Sequence, residues 1–125
     1  MNLLSPFFLT LGPSGLCIAA AGWFQSRFPP KKINRTYGYR TAKSMANDDA
    51  WHFAQDYSAG RMLRYGLVTC AISPLGWFLH WDPVVQVVLG LLALVPPIVL
   101  VVVTTERAIS QQFEQTEPID ESGVK

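Results

Sequence analysis

Three long segments of the chain contain no Lys, Arg, Asp or Glu: residues 1–26, 65–81 and 83–105. A membrane-spanning helix needs about 20 mainly apolar residues to cross a hydrocarbon core roughly 30 Å thick. The segments therefore predict three spans, at about residues 5–24, 62–81 and 84–104. A soluble protein with buried helices is the alternative, but the first and third segments offer no polar face that water could contact.

The first apolar segment also has a feature of a cleavable signal peptide. Ala19-Ala20-Ala21 is a small-residue cleavage pattern. The chain begins MNLLSPFFLT, however, without the basic residues that precede the apolar part of such peptides. This favours a retained span, in which Gly15, Ala19 and Gly22 predict a face that another helix can approach closely.

The basic residues predict the orientation in the membrane, because short cytoplasmic loops hold an excess of Lys and Arg. Eight of the ten lie between residues 27 and 64. We therefore predict one three-span membrane domain, residues 1–105, with a cytoplasmic loop at 25–61 and the N-terminus outside. Residues 106–125 are predicted to form an acidic, disordered cytoplasmic tail, whose first part can continue the third helix for a turn or two.

The predicted loop contains the start of a helix. Ser44 is the expected N-cap, with Asn47 as its capping-box partner, and Asp48 and Asp49 complement the helix dipole. Apolar residues then recur at helical spacing, which indicates an amphipathic interfacial helix running toward or into span two. The predicted fold class is an all-α membrane protein with three transmembrane helices and this interfacial helix between spans one and two.

The arginines of the loop have two interpretations. Arg35 and Arg40 precede a helix that carries Asp48, Asp49 and Asp56, so guanidinium–carboxylate pairs are expected to clamp the loop to the helix. Alternatively, Arg40 faces a pocket for an acidic or phosphate group of a partner.

The sequence predicts neither a cofactor nor a metal site. Cys17 and Cys70 fall inside predicted spans, and His52 and His80 lie on opposite sides of the membrane in this topology. An enzyme acting on lipid headgroups would have to use the polar residues of the loop. These residues are Arg35, Arg40, Asp48, Asp49 and His52. Their sequence pattern shows no set of nucleophile, base and orienting group. A small accessory subunit of a membrane complex is a further alternative.

The stretch NRTYGYRTAKSMANDDAW resembles the C-terminal membrane domain of the SdpI family, bacterial immunity proteins against a secreted sporulation-delaying toxin. The resemblance covers roughly residues 33–66 and rests on an Asn, a Gly-aromatic-Arg-Thr run, a Ser-Met pair and a Trp that opens the next helix. The matching residues are Asn34, Gly38, Tyr39, Arg40, Thr41, Ser44, Met45, Asn47 and Trp51.

The resemblance implies a multi-pass, non-enzymatic protein of the bacterial cytoplasmic membrane that acts by binding. The expected partners, besides the lipid bilayer, are a toxin peptide or a cytoplasmic regulator, with no direct contact to nucleic acid. In this reading Arg40 supplies a charge, Trp51 is a packing anchor and Gly38 is a backbone hinge.

Overall fold

The computed structural model describes residues 4–113, and all regular structure in this part of the chain is helical. Helix α1 is Pro6–Arg27 and helix α2 is Asp48–Ile72. A short 3-10 helix, Ser73–Phe78, follows α2, and helix α3 is Pro83–Phe113. The connection between α1 and α2, residues 28–47, contains turns but no helix or strand, and we call it the loop.

Helix α1 begins at a capped proline. The Ser5 hydroxyl oxygen accepts a hydrogen bond from the backbone N–H of Phe8 at 3.1 Å. Pro6 occupies the first helical position, where its missing N–H costs nothing. The helix continues past Pro13 without interruption and ends at Arg27.

Helices α1 and α2 approach closely along small residues. A Cβ built on Gly66 of α2 would lie 2.3 Å from the backbone nitrogen of Ala19, and one built on Gly22 would lie 2.5 Å from that of Leu63. A Cβ on Gly15 would come within 2.6 Å of the Cys70 nitrogen. The predicted close-approach face on α1 is thus confirmed, and the helix that packs against it is α2.

Helix α2 is one continuous helix that includes the predicted interfacial helix. It starts at Asp48 with Asn47 as N-cap, whose side chain accepts from the Ala50 N–H at 2.8 Å. The prediction of Ser44 as N-cap was therefore wrong. The predicted second span is divided, because α2 ends at Ile72 and the chain continues as a 3-10 helix that has Pro74 near its start.

Among residues 4–113, two helices are long and apolar enough to cross a membrane, α1 and α3. The prediction of three spans is therefore supported for two helices only. Helix α2 is not among them, because its first half carries charged side chains. The outer surface of α3 is apolar along most of its length: Val84 is 70% exposed and Leu92 is 61% exposed. Apolar surface on this scale is typical of a helix that faces lipid.

Helix α3 continues to Phe113, so residues 106–113 of the predicted tail are helical. The remainder of that tail, residues 114–125, lies outside the described residues. The C-terminal ends of α1 and α3 meet the N-terminal end of α2 at one end of the bundle. There the rings of Phe53 and Phe113 pack edge to face with centroids 5.7 Å apart.

Candidate functional site: a polar loop fastened to α2 and α3

The loop is organised around the buried side chain of Gln55 on α2, which is 1% exposed. Its Oε1 accepts from the backbone N–H of Tyr39 at 2.7 Å, and its Nε2 donates to the Tyr39 carbonyl at 2.8 Å. The same Oε1 also accepts from Nε2 of Gln25 at 3.1 Å, and Gln25 donates to Ser58 Oγ at 3.0 Å. One amide thus satisfies both backbone groups of Tyr39 and connects the loop to the end of α1.

Gly38 makes this approach of the loop backbone possible. Its φ of +102° is in the region that side-chain-bearing residues rarely adopt. A Cβ at this position would lie 2.5 Å from Gln55 Oε1 and 2.8 Å from Pro30 Cγ. Gly38 is therefore required both for its backbone conformation and for the space next to Gln55.

Asn34 and Trp51 hold the first half of the loop. Asn34 Oδ1 accepts from the backbone N–H groups of Thr36 at 3.0 Å and Tyr37 at 2.8 Å, which forms a local turn. Trp51 is 0% exposed, and its indole Nε1 donates to the Pro30 carbonyl at 2.8 Å. The prediction of Trp51 as a packing anchor agrees with this position.

Thr41 and Ser44 form a reciprocal turn in the second half of the loop. The Thr41 N–H donates to Ser44 Oγ at 2.8 Å, and the Ser44 N–H donates to Thr41 Oγ1 at 3.2 Å. Ser44 is 0% exposed, and its hydroxyl also bonds backbone carbonyls of the loop. The Met45 N–H donates to the Thr41 carbonyl at 3.0 Å, which closes the turn.

Glu106 of α3 fastens this half of the loop to the third helix. Its Oε1 accepts from the Tyr39 hydroxyl at 2.7 Å and from the Thr41 hydroxyl at 2.6 Å. Burial, together with the neighbouring Glu106 carboxylate, raises the pKa of Tyr39, so the phenol remains a neutral donor. One turn further along α3, Ser110 Oγ accepts from Lys43 Nζ.

Four contributors to this network were not identified from the sequence: Gln25, Gln55, Ser58 and Glu106. Glu106 was assigned to the tail, although it is the first charged residue after the third apolar segment, the position at which a membrane-spanning helix would be expected to leave the bilayer. Gln55 and Ser58 follow Trp51 at helical spacing, and this spacing could have indicated that the three side chains share one face of α2.

The predicted clamp between arginines and aspartates was wrong for the described residues. No ion pair in residues 4–113 joins Arg35 or Arg40 to an aspartate of α2. The two arginines and all three aspartates have exposed side chains; the aspartates are Asp48, Asp49 and Asp56. In the first turn of a helix, aspartates are stabilised by the helix dipole while they remain in water. An exposed ion pair would add little to that, so the hydroxyl bonds to Glu106 hold the loop instead.

Arg40 is held in place by its neighbours. Tyr39 and Thr41 on either side of it are both bonded to Glu106, whereas the Arg40 side chain is exposed and forms no hydrogen bond or ion pair with residues 4–113. A cleft of about 340 Å³ lies beside this part of the loop, between residues 42–47 and the ends of α2 and α3. The loop is thus a fixed scaffold that presents a free guanidinium.

The described residues contain no group of three or more His, Cys, Asp or Glu side chains that could hold a metal ion. His52, proposed as part of a lipid-headgroup enzyme, is exposed and has no hydrogen bond or ion pair to Arg35, Arg40, Asp48 or Asp49 in this part of the chain. The geometry therefore does not assemble that catalytic set.

Residues 31–105 match the model of the SdpI/YfhL protein family. Among curated proteins, the chain is 38% identical over 95 residues to the uncharacterized protein YfhL of Bacillus subtilis (strain 168). This alignment covers 76% of the chain and 80% of the relative. The search of solved structures found no significant match. The matched segment contains all nine residues that were selected from the sequence.

Proposed function

Because the chain belongs to the SdpI/YfhL protein family, we propose that it is a three-span protein of a bacterial cytoplasmic membrane that confers immunity by binding. The ligand in this proposal is a secreted toxin peptide or a cytoplasmic partner, and no chemical step is involved. Helices α1 and α3 form two of the spans.

The second span in this proposal combines the end of α2 with the 3-10 helix. From Tyr65 to Trp81 the chain has no Lys, Arg, Asp or Glu. Several of its apolar side chains point away from the rest of the protein, for example Val68 at 55% exposed and Phe78 at 73% exposed. Lipid would cover such side chains. Helix α2 would then extend out of the membrane, so that its charged first half lies in the cytoplasm.

The distribution of charge supports a cytoplasmic loop. The loop, the start of α2 and the end of α3 lie at the same end of the bundle, and eight of the ten basic residues fall in the segment from 27 to 64. Basic residues near anionic headgroups each add about 1 kcal/mol to membrane attraction. The N-terminus is then outside the cell and the C-terminus is inside.

The observation that carries the binding role is the exposed Arg40 between two anchored neighbours. A side chain needed only to stabilise the loop would be expected to contact it, as Tyr39 and Thr41 do. A guanidinium that is free in the isolated chain is available for an acidic or phosphate group of a partner.

The test is the survival of a sensitive bacterium challenged with a sporulation-delaying toxin, with and without this protein. Arg40→Ala is compared with Arg27→Ala, which removes another exposed basic residue without touching the loop. We expect protection by the wild type and by Arg27→Ala, and loss of protection by Arg40→Ala at equal protein abundance. Protection that survives Arg40→Ala would reject the role of this residue, and absence of protection by the wild type would reject toxin immunity.

A further inference from the structure

A second cavity lies at the end of the bundle opposite to the loop. It has a volume of about 750 Å³, is open on one side and is bordered by the start of α1, the 3-10 helix with the turn that follows it, and the start of α3. Aromatic rings of Trp77, Phe78 and Trp81 contribute to its lining. None of the residues selected from the loop motif contributes to it.

Two side chains that line this cavity, Trp77 and Gln86, each carry a buried polar atom that has no partner among residues 4–113. The amide of Gln86, 6% exposed, is fixed because Nε2 donates to the carbonyls of Trp81 at 2.9 Å and Leu79 at 3.3 Å. Its Oε1 remains a buried acceptor without a donor. The indole Nε1 of Trp77 is a buried donor without an acceptor.

An unpartnered donor and an unpartnered acceptor on side chains that line one cavity are costly, because buried polar groups are nearly always hydrogen-bonded. The cost is removed by a ligand that supplies one acceptor and one donor. A peptide group does this, since it carries one C=O and one N–H.

The charge of the cavity selects a neutral ligand. Among the residues that the structure describes, no Lys or Arg lines it, so these residues offer no cation to a phosphate headgroup. Its one ionisable lining side chain is His80, whose Nδ1 lies 3.1 Å from the Phe78 carbonyl. The aromatic walls favour apolar side chains on the ligand, as in most small-ligand sites.

We propose that this cavity binds a segment of an apolar peptide, with Trp77 Nε1 donating to a backbone carbonyl and Gln86 Oε1 accepting from a backbone N–H. We rest this on the proposed function in one respect, that this end of the bundle faces the outside of the cell. A secreted peptide would then meet the cavity directly.

The test uses the full chain in lipid nanodiscs with ¹⁵N-labelled tryptophan. The probe is the blocked tripeptide acetyl-Leu-Val-Leu-amide, and the matched probe is its all-ester analogue, which has no backbone N–H. We expect the tripeptide to shift the indole N–H signal of Trp77 but not that of Trp23, which lies outside the cavity. We expect the ester analogue to bind about fivefold more weakly, which is the typical contribution of one hydrogen bond.

Variants separate recognition from folding. Trp77→Phe retains a ring next to Phe8, with which Trp77 packs at a centroid distance of 5.4 Å, but removes the donor. We expect about fivefold weaker tripeptide binding, monitored on the other cavity signals, and unchanged helical circular dichroism. The control Trp23→Phe should bind the tripeptide as the wild type does.

Two results would overturn the proposal. One is the absence of a Trp77 shift up to the solubility limit of the tripeptide, and the other is equal binding of the tripeptide and its ester, which would indicate partition by hydrophobicity alone. Tripeptide binding that depends on Trp77, combined with failure of the toxin challenge, would reject the proposed immunity and support the cavity assignment.

Discussion

Gly66→Ala is expected to destabilise the protein, whereas Gly60→Ala on the same helix is expected to stabilise it. A Cβ on Gly66 would lie 2.3 Å from the Ala19 nitrogen, about 1 Å short of an ordinary contact. The Cβ position is fixed by the Gly66 backbone and the nitrogen belongs to the backbone of α1, so the clash is relieved only by a shift of a helix. A Cβ on Gly60 meets no atom within 4 Å. The two substitutions therefore differ only in what the added methyl group contacts.

The magnitude follows from two opposing effects. Alanine is favoured over glycine in a helix by about 1 kcal/mol, and this applies at both positions. Overpacking typically costs about 1–3 kcal/mol. At Gly66 it would also push apart the neighbouring contacts of Gly15 and Gly22. We expect Gly60→Ala to raise the free energy of unfolding by up to about 1 kcal/mol. The free energy of unfolding of Gly66→Ala should be about 1–3 kcal/mol lower than that of Gly60→Ala.

The assay is unfolding of each purified variant in mixed micelles with an increasing fraction of SDS, followed by helical circular dichroism. Gly66→Ala should unfold at a lower SDS fraction than the wild type, and Gly60→Ala at an equal or higher one. If the two variants unfolded together, the close packing of α1 against α2 could not be a source of stability, and the reasoning from the Gly66 contact would be refuted.

Three further predictions concern the loop. Gly38→Ala should make the loop more susceptible to trypsin at its basic residues, because the positive φ and the contact with Gln55 both oppose a Cβ; unchanged cleavage rates would contradict this. Trp51→Phe should lower the free energy of unfolding by about 1–3 kcal/mol, since it leaves the buried Pro30 carbonyl without its donor; the SDS titration measures this, and no loss would contradict it. Because the pKa of Tyr39 is raised in the folded state, the neutral phenol stabilises the fold relative to the ionised one. This contribution to stability is present below about pH 10, the ordinary pKa of tyrosine, and is lost as the pH rises further. The stability difference between the wild type and Tyr39→Phe should therefore shrink above that pH, and a constant difference would argue against it.

Much of the helical architecture could be predicted because apolar length and small-residue spacing are local signals. The charge-free segments gave α1 and most of α3, and Gly15, Ala19 and Gly22 indicated a close neighbour before that neighbour was known. The family resemblance, read from the loop motif, is confirmed by the match of residues 31–105. Whether the motif residues bind a partner stays a prediction.

The partners inside the loop could not be predicted, because they depend on contacts between residues far apart in the chain. Tyr39 and Glu106 are separated by 67 positions. Glu106 is the first charged residue after the third apolar segment, but nothing in the sequence pairs it with Tyr39. The aspartates near Arg40 in sequence were the obvious acceptors, yet their side chains are exposed and form no ion pair with Arg40 among residues 4–113. Ser44 was chosen as N-cap for its residue type and with Asn47 as its capping-box partner, but Asn47 is by residue type an equally good N-cap.

The length of α3 has a consequence for the height of the loop above the bilayer. Its 31 residues extend about 46 Å at 1.5 Å per residue, whereas the hydrocarbon core is roughly 30 Å thick. In the proposed topology, about three turns of the helix would therefore extend beyond the hydrocarbon. Glu106 lies in those turns, so its bonds to the hydroxyls of Tyr39 and Thr41 would hold Arg40 at a set height in the headgroup zone, where the proposed partner would meet it without entering lipid.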